Sequence, residues 1–314
     1  MGRVLVTRQL PEGGLLPLTA AGHEIVQRAD DTPFTPAELV AAVADVDAVV
    51  CLLTDQINAA VLAGAGDRVR VIANVAVGYD NIDVGAAHAQ GIAVCNTPGV
   101  LDDTTADLAF FLMLAASRLT HDAESDLRDG RWVGWGINQY LGQDIHGATL
   151  GLVGYGRIGS AVARRATGFA MNVLHHTRTD SGEPGWVGDL PRMLAQSDIV
   201  SLHVPLTETT RHLIGAAELA VMKPTAVLVN TARGPVVDEA ALAAALTAGT
   251  IFAAGLDVFE EEPAVHPALL AAPRTVLLPH IGSASVATRT RMAQVACAGV
   301  VSVLAGGSPA NIVS

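Results

Sequence analysis

Gly151-Leu152-Val153-Gly154-Tyr155-Gly156-Arg157-Ile158-Gly159 constrains this chain more than any other stretch. An aliphatic run, Ala148–Val153, reads as a strand that enters three glycines spaced G-x-G-x-x-G. Ser160–Phe169 reads as the helix that follows. The glycines have separate tasks: Gly154 makes a tight turn, Gly156 admits a phosphate close to the backbone, and Gly159 lets the helix pack tightly. The helix start then offers unpaired N–H groups and a positive dipole end to a pyrophosphate. A strand, turn and helix of this kind belong to a parallel sheet. The motif therefore predicts a dinucleotide-binding α/β domain, with Tyr155, Arg157 and Ile158 also in the loop.

The rest of the chain fits that frame. Strand-like runs at Arg3–Val6, Ala48–Leu52, Val71–Asn74 and Ala93–Cys95 alternate with helical stretches at Pro36–Val46 and Ala59–Ala65. The pattern restarts after Thr97-Pro98-Gly99 with one long helix, Asp102 to Leu119, capped by Asp102 or Asp103. An irregular segment with Trp132 and Trp135 precedes the glycine motif. Further strands are expected at Val173–His176, Ile199–Val204, Ala226–Asn230, Ala254–Asp257 and Val276–Leu278. A last helix, Ala284 to about Leu304, is expected to pack back on the first domain. Alternation of this kind implies βαβ units and parallel sheets. The expectation is two Rossmann-like or flavodoxin-like α/β domains, with the cofactor domain (99–287) inserted into a substrate-binding domain (1–98 and 288–314). The cleft between two such domains is the default ligand site.

Composition excludes several other classes. Of the 314 residues half are hydrophobic and only 16% charged, so the chain can bury large cores and is not disordered. A net charge of −12 with no basic block leaves no positive stripe for nucleic acid. Cys51, Cys95 and Cys297 are odd in number and far apart, which argues against disulfides and a zinc site, and no metal is expected. Leu108 to Ala116 is about half the length that spans a bilayer. Met1-Gly2-Arg3-Val4 opens a strand rather than a signal region, so a cytoplasmic protein is expected.

The strand after the glycine motif ends His175-His176-Thr177-Arg178-Thr179. An NAD site usually has an acidic residue here, which accepts from the ribose 2′-hydroxyl. An arginine flanked by two hydroxyls instead suits a 2′-phosphate, so NADP(H) is the preferred cofactor, with NAD(H) the alternative. In an open parallel sheet the carboxyl ends of strands face the ligand crevice. Three such ends carry Asn230-Thr231-Ala232-Arg233-Gly234, Asp257-Val258-Phe259-Glu260-Glu261-Glu262-Pro263 and Pro279-His280-Ile281-Gly282. They would bring Arg233, one of the three glutamates and His280 to one place. The set suits hydride transfer to a ketone: an imidazole supplies the proton to the oxygen. A carboxylate such as Glu262 orients the ring, and a guanidinium holds a carboxylate or carbonyl.

At this point the sequence resembles the D-isomer-specific 2-hydroxyacid dehydrogenases over nearly its whole length. The resemblance rests on Asn74-Val75-Ala76-Val77-Gly78-Tyr79-Asp80-Asn81-Ile82-Asp83, the glycine motif, His203-Val204-Pro205-Leu206-Thr207 and the three strand ends above. It implies Arg233, Glu262 and His280 as the catalytic set, and it selects Glu262 by its place five residues after Asp257 and before Pro263. It also implies that the amides at Val77 and Gly78 bind the substrate carboxylate, with Ser283 near the substrate. Thr105, His203, Val204, Pro205, Thr209, Thr231, Ala232, Asp257, His280 and Gly282 would line the dinucleotide.

The branch it most resembles is that of the glyoxylate/hydroxypyruvate reductases. Two features carry that likeness: the Thr177-Arg178-Thr179 turn, and tryptophans at Trp132 and Trp135 like those of the dimer loop. The resemblance implies a homodimer in which Trp135 reaches the active site of the partner subunit and contacts the substrate there. His175-His176 departs from the family, where an aromatic pair is common. Alternatives within the family are an NAD-using D-3-phosphoglycerate or other D-2-hydroxyacid dehydrogenase. The first often carries a further regulatory domain, and this chain stops at Ser314. An alternative of another class is a co-repressor-like sensor that binds NAD(H).

Overall fold

A computed structural model describes residues 1–28, 30–180 and 182–313. The chain divides into two compact units: Met1–Leu101 with the segment from Ser283 onward, and Asp102–Gly282. The first unit opens with β1 (Arg3–Val6), α1 (Leu16–Ala20), β2 (Glu24–Gln27), α2 (Pro36–Val43) and β3 (Ala48–Cys51). It continues through α3 (Ala59–Ala65), β4 (Val71–Asn74), α4 (Val84–Ala89) and β5 (Ala93–Cys95). The second unit holds α5 (Asp102–Ser117), α6 (Thr120–Arg128), β6 (Thr149–Val153), α7 (Arg157–Ala166), β7 (Asn172–His176), α8 (Leu190–Gln196) and β8 (Ile199–Leu202). It ends with α9 (Ala216–Val221), β9 (Val227–Asn230), α10 (Glu239–Ala248), β10 (Ala253–Leu256), α11 (Pro267–Leu270) and β11 (Thr275–Leu277). The chain then returns to the first unit as α12 (Val286–Leu304).

Both sheets are parallel throughout. The first runs β2-β1-β3-β4-β5. The second runs β11-β10-β9-β8-β6-β7. Strand order reverses between β1 and β3 in one and between β6 and β8 in the other. The carboxyl ends at such a reversal open a crevice, because the crossover helices leave on opposite faces. On the outer edge of β7 a short strap lies parallel. His175 N–H donates to Gly185 O, Val187 N–H donates to His175 O, both at 2.8 Å, and Trp186 forms the bridge.

Strands buried on both faces should read as continuous aliphatic runs with alternate residues entering different cores. Leu150 and Leu152 of β6 enter one cluster with α5 and α7, while Val153 enters the other with α8, α9 and α10. Strand β9 divides the same way, Val227 and Val229 on one side and Leu228 on the other. In the first unit α12 packs on β3, β4 and β5, which is the expected return of the last helix to the first domain. Helix starts follow their sequence signals. Thr35 and Glu38 form a capping box on α2 behind Pro36, and Ser285 caps α12 by accepting from Thr288 N–H at 3.1 Å.

Several elements differ from expectation. The expected divisions at 98/99 and 287/288 compare with 101/102 and 282/283, since the break falls at the start of α5 and just ahead of the Ser285 cap; Ser314 lies outside the described residues. Asp102 and Asp103 occupy the first turn of α5 and not its cap, where their charge suits the helix dipole. The long helix stops at Ser117 because Leu119 turns left-handed (φ 52°), and the segment expected to be irregular begins with α6. The glycine-loop helix starts at Arg157, three residues early, and closes as a 3-10 turn over Thr167–Phe169. Strand β2 and helices α1 and α4 carry four, five and six residues, too few for a periodic pattern to show. Among the described residues no helix is long and apolar enough to cross a membrane, and no cluster of His, Cys, Asp and Glu is arranged to hold a metal ion.

Candidate active site

The glycine loop leaves β6 at the strand reversal of the second sheet. Gly154 adopts φ 96°, and a Cβ there would stand 2.6 Å from His203 O and 3.1 Å from Val204 Cγ1. The loop after β8 therefore seats directly against it. A Cβ on Gly159 would stand 2.3 Å from Gly154 O, so the first turn of α7 is as close to the loop as backbone allows. At Gly156 a Cβ would meet nothing within 4 Å, and no side chain caps α7 or places an acid in its first turn. Open space in front of uncapped amides fits a pyrophosphate. Thr231 Oγ1, at the end of β9, is buried with no hydrogen-bond partner among the described residues, and a polar ligand would satisfy it. The residues present thus fit a dinucleotide.

Near this loop burial disfavours the charged form of two imidazoles. Burial pushes His203 down to about 4, and its Nε2 lies 3.0 Å from Ser201 Oγ. Burial also lowers His175, whose ring stacks on Tyr155 at 4.0 Å. His175 thus fills the place of the aromatic ring that the family pattern leads one to expect. Its neighbour His176 points to the other face, with Nδ1 3.0 Å from Val187 O on the edge strap. Thr177 Oγ1 donates to Thr179 O at 2.7 Å and closes the turn that presents Arg178. Arg178 is exposed and makes no ion pair among the described residues.

The three candidate residues, Arg233, Glu262 and His280, follow the ends of β9, β10 and β11. Asn230 builds the turn at Arg233: its Nδ2 donates to Arg233 O at 2.9 Å, and its Oδ1 accepts from Ala232 N–H at 3.0 Å. A Cβ on Gly234 would fall 1.8 Å from Phe259 C and 2.4 Å from Glu260 N. Only glycine lets the Arg233 strand end press on the glutamate loop. Phe259 N–H donates to Glu262 Oε1 at 3.0 Å, and Glu262 Oε2 lies 2.8 Å from His280 Nδ1. Burial pushes the Glu262 carboxyl up, but the hydrogen bond and charge of His280, the Phe259 amide and Arg233 together hold it below the ordinary value.

His280 stands at φ 56°, a left-handed conformation costly for a residue with a Cβ. Asp257 enforces it. His280 N–H donates to Asp257 O at 2.9 Å, and the carboxylate accepts from Ile281 and Gly282 N–H, both at 2.7 Å. Asp257 is 1% exposed, and burial raises its carboxyl despite those amides. Both its oxygens are used to shape the His280 loop, which the sequence does not announce. Thr105 closes the same corner, its side chain 3.5 Å from a Cβ built on Gly282.

The other two glutamates are accounted for. Glu260 Oε1 accepts from Glu239 N–H at 2.8 Å, Glu239 Oε1 accepts from Glu260 N–H at 2.6 Å, and Glu260 Oε2 meets His212 Nε2 at 2.9 Å. Glu261 faces solvent. Pro205, Thr207 and Thr209 follow β8 as a hydroxyl-rich loop, Thr207 Oγ1 lying 3.1 Å from Thr209 Oγ1. Trp135 is 80% exposed on the loop after α6. Val77, Gly78 and Ser283 belong to the first unit.

Residues 110–282 match the family described as D-isomer specific 2-hydroxyacid dehydrogenase, NAD binding domain. The chain is 48% identical over 320 residues to a glyoxylate reductase of Korarchaeum cryptofilum, covering 99% of this chain and 96% of that protein. It belongs to the D-isomer-specific 2-hydroxyacid dehydrogenase family. Among solved structures it resembles a glyoxylate reductase from Paecilomyes thermophila, with TM-score 0.88, 35% identity and 99% and 98% of the two chains covered. It also resembles an NADPH-dependent glyoxylate/hydroxypyruvate reductase from Sinorhizobium meliloti in complex with NADP and malonate. That likeness has TM-score 0.87, 38% identity and 99% and 96% coverage.

The neutral His203 of this dehydrogenase makes its stability depend on pH. Its folded value, about 4, lies below the unfolded value of about 6.5. The unfolded chain therefore binds the extra proton first, and stability that is full above pH 6.5 drains as pH falls toward 4. The expected loss is about 3 kcal/mol. Thermal unfolding of wild type and His203→Gln at pH 7.5 and 4.5 should show the smaller fall in the variant, and equal falls would refute it.

Proposed function

We propose that this dehydrogenase reduces small 2-keto acids, glyoxylate and hydroxypyruvate first, to D-2-hydroxy acids, with NADPH preferred over NADH. The observation that carries the reading is the His280–Glu262 pair at 2.8 Å on one scaffold with Arg233. Relatives named glyoxylate reductase support the substrate class. Gly154, Tyr155, Gly156, Arg157, Ile158 and Gly159 would hold the pyrophosphate. Thr105, His203, Val204, Pro205, Thr209, Thr231, Ala232, Asp257 and Gly282 would line the remainder. A bound reduced nicotinamide supplies hydride to the carbonyl carbon. His280 commits Nδ1 to Glu262, so Nε2 is the nitrogen that delivers the proton to the carbonyl oxygen. Glu262, held ionised, keeps the imidazolium oriented and compensated. Arg233 polarises the carbonyl and binds the carboxylate with its fork of donors. The amides of Val77 and Gly78 take the carboxylate without adding net charge, Ser283 contacts the substrate, and Trp135 contacts that of the partner subunit. Arg233→Ala should lower kcat/KM for glyoxylate about a hundredfold or more, from a lost charge-assisted contact of about 3 kcal/mol. Near-wild-type turnover would remove Arg233 from the chemistry.

The cofactor preference rests on the Thr177-Arg178-Thr179 turn, which offers a cation and hydroxyls and no acid. The Sinorhizobium meliloti relative, crystallised with NADP, supports it. Initial rates with both dinucleotides should favour NADPH. Arg178→Ala should cut kcat/KM for NADPH about tenfold to a hundredfold while sparing NADH. A wild type that prefers NADH, or a variant that loses both equally, would sink the 2′-phosphate assignment.

The assembly proposed is a homodimer. Phe111, Leu127, Trp132, Val133, Trp135 and Ile137 are between 48% and 94% exposed along α5, α6 and the following loop, and large apolar side chains left bare in this number suit a subunit contact. Light scattering should give twice the chain mass, and Val133→Asp should shift it toward one chain. A monomeric wild type would overturn this assignment.

A further inference from the structure

We infer that Asn96 and Asn74 are the positioning residues of the carboxylate-binding loop Val77–Tyr79, an inference that rests on the reductase reading and names what aims its amides. A peptide unit is planar and trans, so anchoring the carbonyl of one residue points the N–H of the next in the opposite direction. In this loop three consecutive carbonyls are anchored. Ala76 O accepts from Thr97 N–H at 2.9 Å, Val77 O from Asn96 Nδ2 at 2.8 Å, and Gly78 O from Asn74 Nδ2 at 2.8 Å. The amides that belong to those peptide planes are Val77, Gly78 and Tyr79. Among the described residues none of the three has an acceptor. The result is a row of donors turned away from their own anchors, the form in which backbone binds an anion.

Each asparagine is fixed in turn. Asn74 is fully buried and uses both hydrogens of its carboxamide, the second donating to Asn81 Oδ1 at 2.9 Å. Its oxygen accepts from the Cys51 thiol at 3.6 Å. Burial pushes that thiol up, which keeps its proton in place as the donor. Asn81 is held by Leu52 O and Asp55 O, and Asp55 accepts from Leu52 N–H and Thr7 Oγ1. The network therefore runs back to the ends of β1 and β3, where strand order reverses. Asn96 is clamped by exchange with the C-terminal segment. Asn96 N–H donates to Asn311 O at 3.1 Å, and Asn311 Nδ2 returns to Asn96 O at 2.7 Å. A carboxamide is the side chain this job needs, because a carboxylate of the same shape would set oxygen against carbonyl oxygen.

The test compares glyoxylate with glyoxal, a neutral dicarbonyl that has no carboxylate for the loop to hold. Asn96→Ala frees Val77 O and with it the aim of the Gly78 amide. KM for glyoxylate should rise about three- to tenfold, the value of one neutral hydrogen bond, with kcat within about twofold. NADPH affinity, read by quenching of protein fluorescence, and kcat/KM for glyoxal should stay at the wild-type level. Asn96→Asp, of equal volume, should show the same selectivity or more, and serves where the alanine variant folds poorly. A fall shared equally by glyoxylate and glyoxal, or no fall in a folded variant, would overturn the inference. A wild type that binds NADPH but reduces no carboxylate substrate would bring down the reductase reading itself, and the inference with it.

Discussion

The buried carboxylate of Asp257 is the constraint on which the chemistry of the second unit depends. Placing it at 1% exposure costs free energy, and the raised carboxyl is the sign of that cost. Two amide hydrogen bonds at 2.7 Å offset it, each about 1.5–3 kcal/mol for a charged acceptor. What the arrangement produces is geometry. The amides of Ile281 and Gly282 are drawn to one point, the backbone at His280 is held at φ 56°, and the imidazole meets Glu262. Backbone strain of this sort persists only where surroundings over-determine it. Here the next strand end supplies that determination, and Gly234 ties in the third by pressing against the Phe259–Glu260 peptide.

The parts of this arrangement that were legible in the sequence are those in which a residue type answers a local demand. Glycines at 154, 156 and 159 between an aliphatic run and a helix can be read because turn, approach and packing each exclude a side chain. The parallel order of the main strands follows from their spacing. Strand β2 and helix α1 were not legible, since a four-residue edge strand with Glu24 and Gln27 at its ends has no period to detect. Nor was the break at Leu119: a leucine in left-handed conformation is imposed by tertiary packing and leaves no mark on composition.

The glutamate triplet illustrates the same limit at the site. Three adjacent acids look alike in sequence, and only a family pattern separates Glu262 from its neighbours. In the fold the distinction is physical. Glu262 alone lies against an imidazole from another strand end and an amide three residues back, whereas Glu260 is spent on the start of α10 and on His212. Apart from that amide, these partners are 18 to 48 positions away along the chain, and spacing does not reveal such pairings. Asn74 and Asn96 were invisible for the same reason, because a carboxamide's meaning lies in which carbonyl it reaches.

On the proposed reading each unit of this acidic protein holds an anionic ligand, and backbone amides are the donors that suit the task. A net charge of −12 repels phosphate and carboxylate alike, and added lysines would be weakened by their acidic neighbours. Amides carry no net charge, yet they bind anions well once their direction is fixed. Fixing that direction requires the opposite side of each peptide to be held, and buried polar side chains do this at little cost when every donor and acceptor is satisfied. At the His280 loop of the second unit a carboxylate instead gathers amides to itself, and the open amides lie at the glycine loop. In the first, carboxamides gather carbonyls and so leave the amides outward. The choice between Asp and Asn at these positions thus decides whether a loop consumes its own N–H groups or presents them.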